Sequence, residues 1–164
     1  MRTKRAIVVG AVLVSLIGFG FAGAHRPAAP APSIKDQLIG TWRLVARDVV
    51  RPDGSSSLDP AYGPKYPIGY IMYDRTGHMA VQFMGLDRPN DQSSRAYDAY
   101  FGTYTIDKKS KPMTVTHHLD GSLNPTAVGR DRVRDLLLNG DQLKIVVHNS
   151  NNANVNVNTF TRVK

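Results

Sequence analysis

The chain contains 164 residues, with a formal net charge of +8 and no cysteine. The lack of cysteine excludes disulfide bonds, thiolate metal sites and cysteine nucleophiles, and the length accommodates one folded domain behind a leader. Lysine and arginine are scattered rather than gathered in a stripe beside stacking aromatic residues, so we expect a solvated surface and no nucleic-acid partner.

Residues 1–24 have the composition of a signal peptide. Basic residues precede an apolar run at positions 6–21, and Ala22-Gly23-Ala24 supplies the small side chains that a cleavage site requires. An uncleaved membrane anchor is the alternative, because no charge occurs between positions 6 and 24, although that length is short for a membrane span. We expect an exported protein, periplasmic or secreted, that begins at His25 and does not insert stably into a membrane once the leader is removed.

A Pro/Ala-rich linker is expected over residues 25–33, followed by the folded domain at residues 34–164. Ser33 or Asp36 would cap a short helical turn at the start of that domain. A turn and loop are expected over residues 52–57.

Strand-like patterns recur along the domain. Alternating apolar and polar residues, rich in β-branched and aromatic side chains, predict strands at residues 38–46, 68–73, 78–84, 101–106, 113–119, 132–138, 142–148 and 155–163. Short turns such as Asn139-Gly140-Asp141 join them, and a short helix over residues 95–100, capped by Asp91 or Ser93, interrupts them. We predict an all-β fold, a single antiparallel eight-stranded barrel, because closure removes exposed strand edges; a two-sheet sandwich is the alternative.

Two adjacent histidines carry the strongest chemical signal. Successive residues of a strand face opposite sides, so His117 shares a side with Val115, and His118 shares the other with Thr116. An apolar interior would therefore select His117 and a polar one His118, and we expect His117. Burial should lower the pKa of the inward imidazole, because it disfavours the charged form. The two cannot serve one metal ion, and no neighbouring cysteine or glutamate completes a metal shell, so no metal is expected.

Four segments resemble the bacterial lipocalin-like domain family, namely LIGTWRLV at 38–45, GYIMY at 69–73, AYDAYFGTY at 96–104 and VTHH at 115–118. The resemblance covers residues 34–164 and implies a small β-barrel with an apolar cavity. Gly40-Thr41-Trp42 also resembles the Gly-x-Trp of the lipocalins, in which the tryptophan closes one barrel end against an arginine of the last strand. The resemblance implies that role for Trp42 and Arg162.

Three kinds of side chain are candidates for contacting a ligand. Tyrosines would give an apolar wall with hydroxyl tips, methionines an adaptable surface, and polar residues specific hydrogen bonds, with Arg134 meeting the carboxylate of a fatty or aromatic acid. Each also has a plainer interpretation, as core packing or as an exposed position. The expected ligand contacts are Tyr70, Met72, Gln82 (as an inward polar contact), Met84, Tyr100, Tyr104, His117, His118 and Arg134.

The predicted function is non-enzymatic binding of a small hydrophobic or amphipathic molecule, without a cofactor, by a monomer or weak dimer. No nucleophile elbow, phosphate loop or dinucleotide fingerprint occurs, and no catalytic residue is assigned. One alternative is a cofactor-free barrel enzyme (an isomerase, cyclase or hydratase) that uses a cavity histidine and tyrosines as acid–base groups. Another is a cell-envelope interaction protein with a solidly packed barrel and binding loops.

Overall fold

A closed sheet of antiparallel strands dominates the computed structural model, which describes residues 30–88, 96–150 and 153–164. The leader predicted at residues 1–24 lies outside these ranges. Residues Pro32–Lys164 form one compact unit, and no helix in the described ranges is long and apolar enough to cross a membrane. The elements are α1 (Ile34–Leu38), β1 (Gly40–Val50), β2 (Ser56–Leu58), β3 (Ile68–Tyr73), β4 (His78–Met84), β5 (Tyr97–Asp107), β6 (Thr114–Ser122), β7 (Asp131–Asn139), β8 (Gln142–His148) and β9 (Val155–Arg162), with 3-10 turns at Pro60–Tyr62 and Pro125–Ala127.

The barrel closes because β1 pairs on both of its sides. Each strand from β3 to β8 pairs antiparallel with the next along the chain. Strand β1 then pairs with β3 through Trp42 and Ile71, and with β9 through Trp42 and Arg162. These eight strands form the closed antiparallel barrel that the strand pattern predicts, and no edge of the barrel remains for a second sheet.

Two segments differ from the prediction. Ser56–Leu58 is a ninth strand, β2, where a loop was expected, because it pairs with the end of β1 through Val49 and Ser57. The helix expected over residues 95–100 is wrong in its described part, since Tyr97 begins β5 and pairs with Met84 of β4. Pairing with β4 satisfies the backbone groups of this aromatic segment and gives its side chains a pleated surface. The expected caps at positions 91 and 93 lie outside the described residues.

Helix α1 and Trp42 seal one end of the barrel. Ser33 and Asp36 cap α1 reciprocally, because the Ser33 hydroxyl accepts from the backbone N–H of Asp36 and the Asp36 carboxylate accepts from the backbone N–H of Ser33. The indole Nε1–H of fully buried Trp42 donates to the carbonyl of Leu38 at 2.8 Å. The guanidinium carbon of Arg162 lies 4.0 Å from the centre of the Trp42 ring system, which confirms the predicted closure of this end.

The close approach of Arg162 also explains the glycine of the Gly-x-Trp motif. Gly40 has a φ of +136°, a conformation that side chains disfavour, and a Cβ atom there would lie 2.9 Å from Nη1 of Arg162. Arg162 donates to the carbonyls of Ile39 and Gln37 and approaches Asp141 at 3.3 Å. One arginine of β9 therefore ties together α1, β1 and the β7–β8 turn.

Candidate ligand-binding site

The interior of the barrel contains an apolar group and a polar group of side chains. The apolar group consists of inward-pointing Leu44, Ile71, Met79, Val81, Leu136, Leu143, Ile145 and Phe160. Other inward strand positions are polar, and the turn after β2 adds two more buried side chains. We call this second group the polar interior; it consists of Arg47, Asp59, Tyr62, Asp98, Tyr100, His117, Arg132, Arg134, Asn156 and Asn158.

His117 is the fully buried histidine of the pair, as strand alternation predicts for an interior with apolar residues on this strand. Its Nε2 lies 2.8 Å from the hydroxyl of Tyr73, and its Nδ1 lies 3.4 Å from the hydroxyl of Tyr100. Burial lowers the pKa of His117 to about 3, and the positive charges of Arg134 and Arg132 act in the same direction. The imidazole is therefore neutral at neutral pH and fixed between two phenols.

The tyrosine hydroxyls around His117 are neutral as well. Burial raises the pKa of Tyr73 well above its usual value and also raises that of Tyr100. Tyr104 packs its ring edge-on against Tyr73, with ring centres 4.8 Å apart, and donates its hydroxyl to the carbonyl of Asp74 at 3.0 Å. Tyr100 and Tyr104 therefore both face inward, but the hydroxyl of Tyr104 already has a partner in the Asp74 carbonyl.

His118 faces outward. Its Nδ1 lies 2.6 Å from a carboxylate oxygen of Asp131, and its Nε2 lies 3.1 Å from the hydroxyl of Thr105. Both partners lie on adjacent strands of the outer wall. The structure thus separates the two histidines, placing His117 in the polar interior and His118 in a surface hydrogen bond with Asp131.

Strand β7 contributes two inward arginines. Arg132 pairs across the strands with His117, and Arg134 pairs with fully buried Val115, so both arginines share the inner face. The guanidinium carbon of Arg132 lies 4.8 Å from the centre of the Tyr100 ring. Burial lowers the pKa of Arg134, and neighbouring Arg132 adds to that effect. Arg134 is therefore a half-buried cation on the inner face of the wall.

A third inward arginine was missed by the sequence-based reasoning. Arg47 donates to Asp59 at 2.7 Å and to Oδ1 of Asn158 at 2.6 Å, and Asn156 donates to the same Asp59 carboxylate at 3.0 Å. The guanidinium carbon of Arg47 also lies 5.1 Å from the ring centre of Tyr62. This network packs the turn after β2 against β1 and β9.

Besides His118, four of the expected ligand contacts do not face the interior. Tyr70 and Met72 of β3 are 45% and 42% exposed, and Gln82 of β4 is also exposed, because their neighbours Ile71 and Val81 occupy the inward positions. The inward polar contact expected of Gln82 is therefore wrong, and so is an interior position for Tyr70 and Met72. Met84 is half-buried on the same outer side.

These outward residues line grooves on the outside of the wall. Tyr70, Gln82 and Met84, together with Arg43, Ile68 and Tyr97, line a groove of about 400 Å³. It lies where β1 and β3 stop pairing, beyond the pair Arg43 and Tyr70. Met72 lines a separate outer groove nearer the sealed end. The outer wall thus offers grooves in which a small apolar molecule could rest.

No metal-binding cluster of three or more His, Asp or Glu side chains occurs in the described parts of the chain. Every fully buried side-chain nitrogen or oxygen atom in those parts has a hydrogen-bond partner. The fully buried polar atoms of the polar interior are therefore all hydrogen-bonded.

Comparison with known proteins agrees with this architecture. The lipocalin-like domain family matches residues 39–162, which spans β1 to β9. A solved structure described as a redesigned β-barrel aligns at 16% identity with a TM-score of 0.41, covering 79% of this chain and 95% of that one, and this distant likeness adds nothing to the assignment. No curated protein matches the chain. On the family match, the chain belongs to the lipocalin-like domain family.

Proposed function

We propose that this chain is an exported protein that binds a small amphipathic molecule in the polar interior of its barrel. The observation that carries the proposal is the polar interior. A barrel wall can be packed entirely with apolar side chains, and burying charged groups costs free energy unless each is well paired. Stability alone therefore does not explain why three arginines lie inside such a small barrel.

The chemistry of the polar interior suits binding better than catalysis. A general base works best when its pKa lies near the operating pH, whereas the pKa of His117 is lowered to about 3. The phenols beside it are shifted the opposite way, to higher pKa values. Neutral phenols and a neutral imidazole are good hydrogen-bond partners for a ligand, but they are weak acids and bases at neutral pH.

Export is supported by the sequence of residues 1–24, with its basic start, apolar run and small residues at positions 22–24. A periplasmic or secreted location follows if the leader is removed, and a membrane-tethered one if it is retained. N-terminal sequencing of the protein from the exported fraction distinguishes these outcomes. A mature chain that begins at His25 supports cleavage, whereas an intact leader in the membrane fraction supports the tether.

Native mass spectrometry of the protein purified from its own host tests the binding function. A bound molecule should appear as a discrete added mass that is lost on denaturation. As a second measurement, the fluorescent probe N-phenyl-1-naphthylamine should bind the purified barrel with a saturable signal. A bare chain mass together with no saturable probe binding would favour the alternative of a solidly packed barrel that interacts through its loops.

A further inference from the structure

The charges of the polar interior do not balance. Arg47, Arg132 and Arg134 face inward, and the inward carboxylates near them are Asp59 and Asp98. His117 contributes no charge at neutral pH because its pKa is lowered to about 3. Three cations against two anions leave an excess of one positive charge in the described interior.

The excess charge lies on β7. Asp59 is held by Arg47 at 2.7 Å, so that pair is complete. Arg132 reaches Asp98 only at 3.9 Å, the outer limit of an ion pair. Among the described residues no carboxylate lies within ion-pair distance of Arg134, whose guanidinium donates instead to the backbone carbonyl of Val133 at 2.8 Å.

We propose that Arg134, assisted by Arg132, binds the anionic group of the ligand, and that the ligand is a small amphipathic acid such as a carboxylate. The inference rests on the proposed binding function and names its ligand class. A guanidinium presents paired donors that match the two oxygens of a carboxylate. Tyr100 lies under Arg132 and carries a neutral hydroxyl, so it supplies a further donor at the same place.

The surroundings of Arg134 favour an anion over a neutral polar group. A half-buried cation without a counter-ion is costly, and the lowered pKa of Arg134 reflects that cost. A bound carboxylate would remove the cost, whereas an alcohol would not.

Two fluorescent probes with the same ring system test the proposal. 1-Anilinonaphthalene-8-sulfonate carries an anionic group, and N-phenyl-1-naphthylamine does not. The wild-type chain should bind the sulfonate at least about tenfold more tightly, a difference typical of one charge-assisted contact. Decanoate should displace the sulfonate probe, whereas 1-decanol at the same concentration should not.

Variants assign the effect to a residue. Arg134→Met should weaken binding of the sulfonate by about tenfold or more and leave the neutral probe within about twofold, while Arg134→Lys should retain part of the preference. Arg43→Met removes the same charge from the outer wall and should change neither probe. If Arg134→Met fails to fold, judged by circular dichroism, Arg132→Met replaces it.

Three results would overturn the proposal in distinguishable ways. Saturable binding of both probes with equal affinity, unchanged in Arg134→Met, would leave a binding barrel without an anion subsite. Loss of the sulfonate preference in Arg43→Met instead would place the anion in the outer groove. If neither probe binds, the result contradicts the proposed binding function itself.

Discussion

The Nε2 atom of His117 lies 2.8 Å from the hydroxyl oxygen of Tyr73, and both side chains are buried in the barrel. A buried hydrogen bond of this kind contributes little when both partners are present, but removing one partner leaves the other unsatisfied. Tyr73 is on β3 and His117 is on β6, so this bond links two strands that do not pair with each other. It fixes the His117 imidazole in the polar interior.

Tyr73→Phe should lower the free energy of unfolding by about 1–3 kcal/mol, because His117 loses its shorter hydrogen bond in a buried position. Tyr70→Phe is the matched control on the same strand. Its hydroxyl is on the exposed outer wall, so its loss should change stability by less than about 0.5 kcal/mol. Urea titrations of both variants make the comparison. Equal losses in the free energy of unfolding would mean that the Tyr73–His117 bond contributes no more to stability than an exposed hydroxyl.

The neutral state of His117 predicts a pH dependence of stability. The pKa of the folded state, about 3, is below the ordinary value of 6.5, so protonation favours the unfolded chain. The contribution of neutral His117 to the free energy of unfolding is therefore fully present above pH 6.5. It is lost as the pH falls toward about 3, by up to about 1.4 kcal/mol per pH unit.

Urea titrations between about pH 6.5 and 4.5 isolate this effect, because ordinary carboxyl groups titrate mostly below that window. His117→Gln should flatten the decline of the free energy of unfolding with falling pH. His118→Gln should leave unchanged the part of that decline that comes from His117. An NMR titration of the wild-type protein gives a direct check. A His117 ring signal that titrates near 6.5 would show that the imidazole is solvated.

Asp59→Ala should destabilise the protein by about 3–5 kcal/mol, because it leaves Arg47 in the interior without its ion-pair partner at 2.7 Å. Asp87→Ala breaks an exposed pair with Lys65 and serves as the control. That change should cost less than about 1 kcal/mol, as surface ion pairs do. Similar losses in the two variants would show that the Arg47–Asp59 pair is effectively solvated.

Trp42→Ala should lower the free energy of unfolding by about 3–5 kcal/mol, as truncation of a large buried aromatic side chain does. The indole also loses its hydrogen bond to Leu38 and its contact with Arg162. Val163→Ala, at an exposed site next to Arg162, should change stability by less than about 0.5 kcal/mol. A loss below about 1 kcal/mol for Trp42→Ala would contradict closure of the barrel at this end.

Strand alternation predicted the orientation of the histidines because β6 keeps a regular pleat through His117 and His118. The same rule would have placed Tyr70 and Gln82 outside, since Ile71 and Val81 are the better interior residues. The chemistry of these two side chains suggests ligand contacts, but it does not determine which side of a strand faces inward. The phase of the apolar residues along each strand does determine it.

The polar interior was harder to predict for two physical reasons. In β9, Asn156 and Asn158 alternate in phase with buried Phe160, although the more apolar residues between them suggest the opposite phase. In β1, a bulge between Leu44 and Ala46 changes the phase of the strand and turns Arg47 inward. The position of Phe160 in the sequence indicates the phase of β9. No pattern in the sequence indicates the bulge in β1.

The most direct test of the account is to locate a bound probe by NMR. In the complex of isotope-labelled protein with 1-anilinonaphthalene-8-sulfonate, intermolecular nuclear Overhauser effects should connect the naphthalene protons to the rings of His117 and Tyr100. The outward ring of His118 and the methyl group of Met84, which lines the outer groove, should show none. Contacts to Met84 and Tyr70, with none to His117 or Tyr100, would place the ligand on the outer wall and contradict binding in the polar interior.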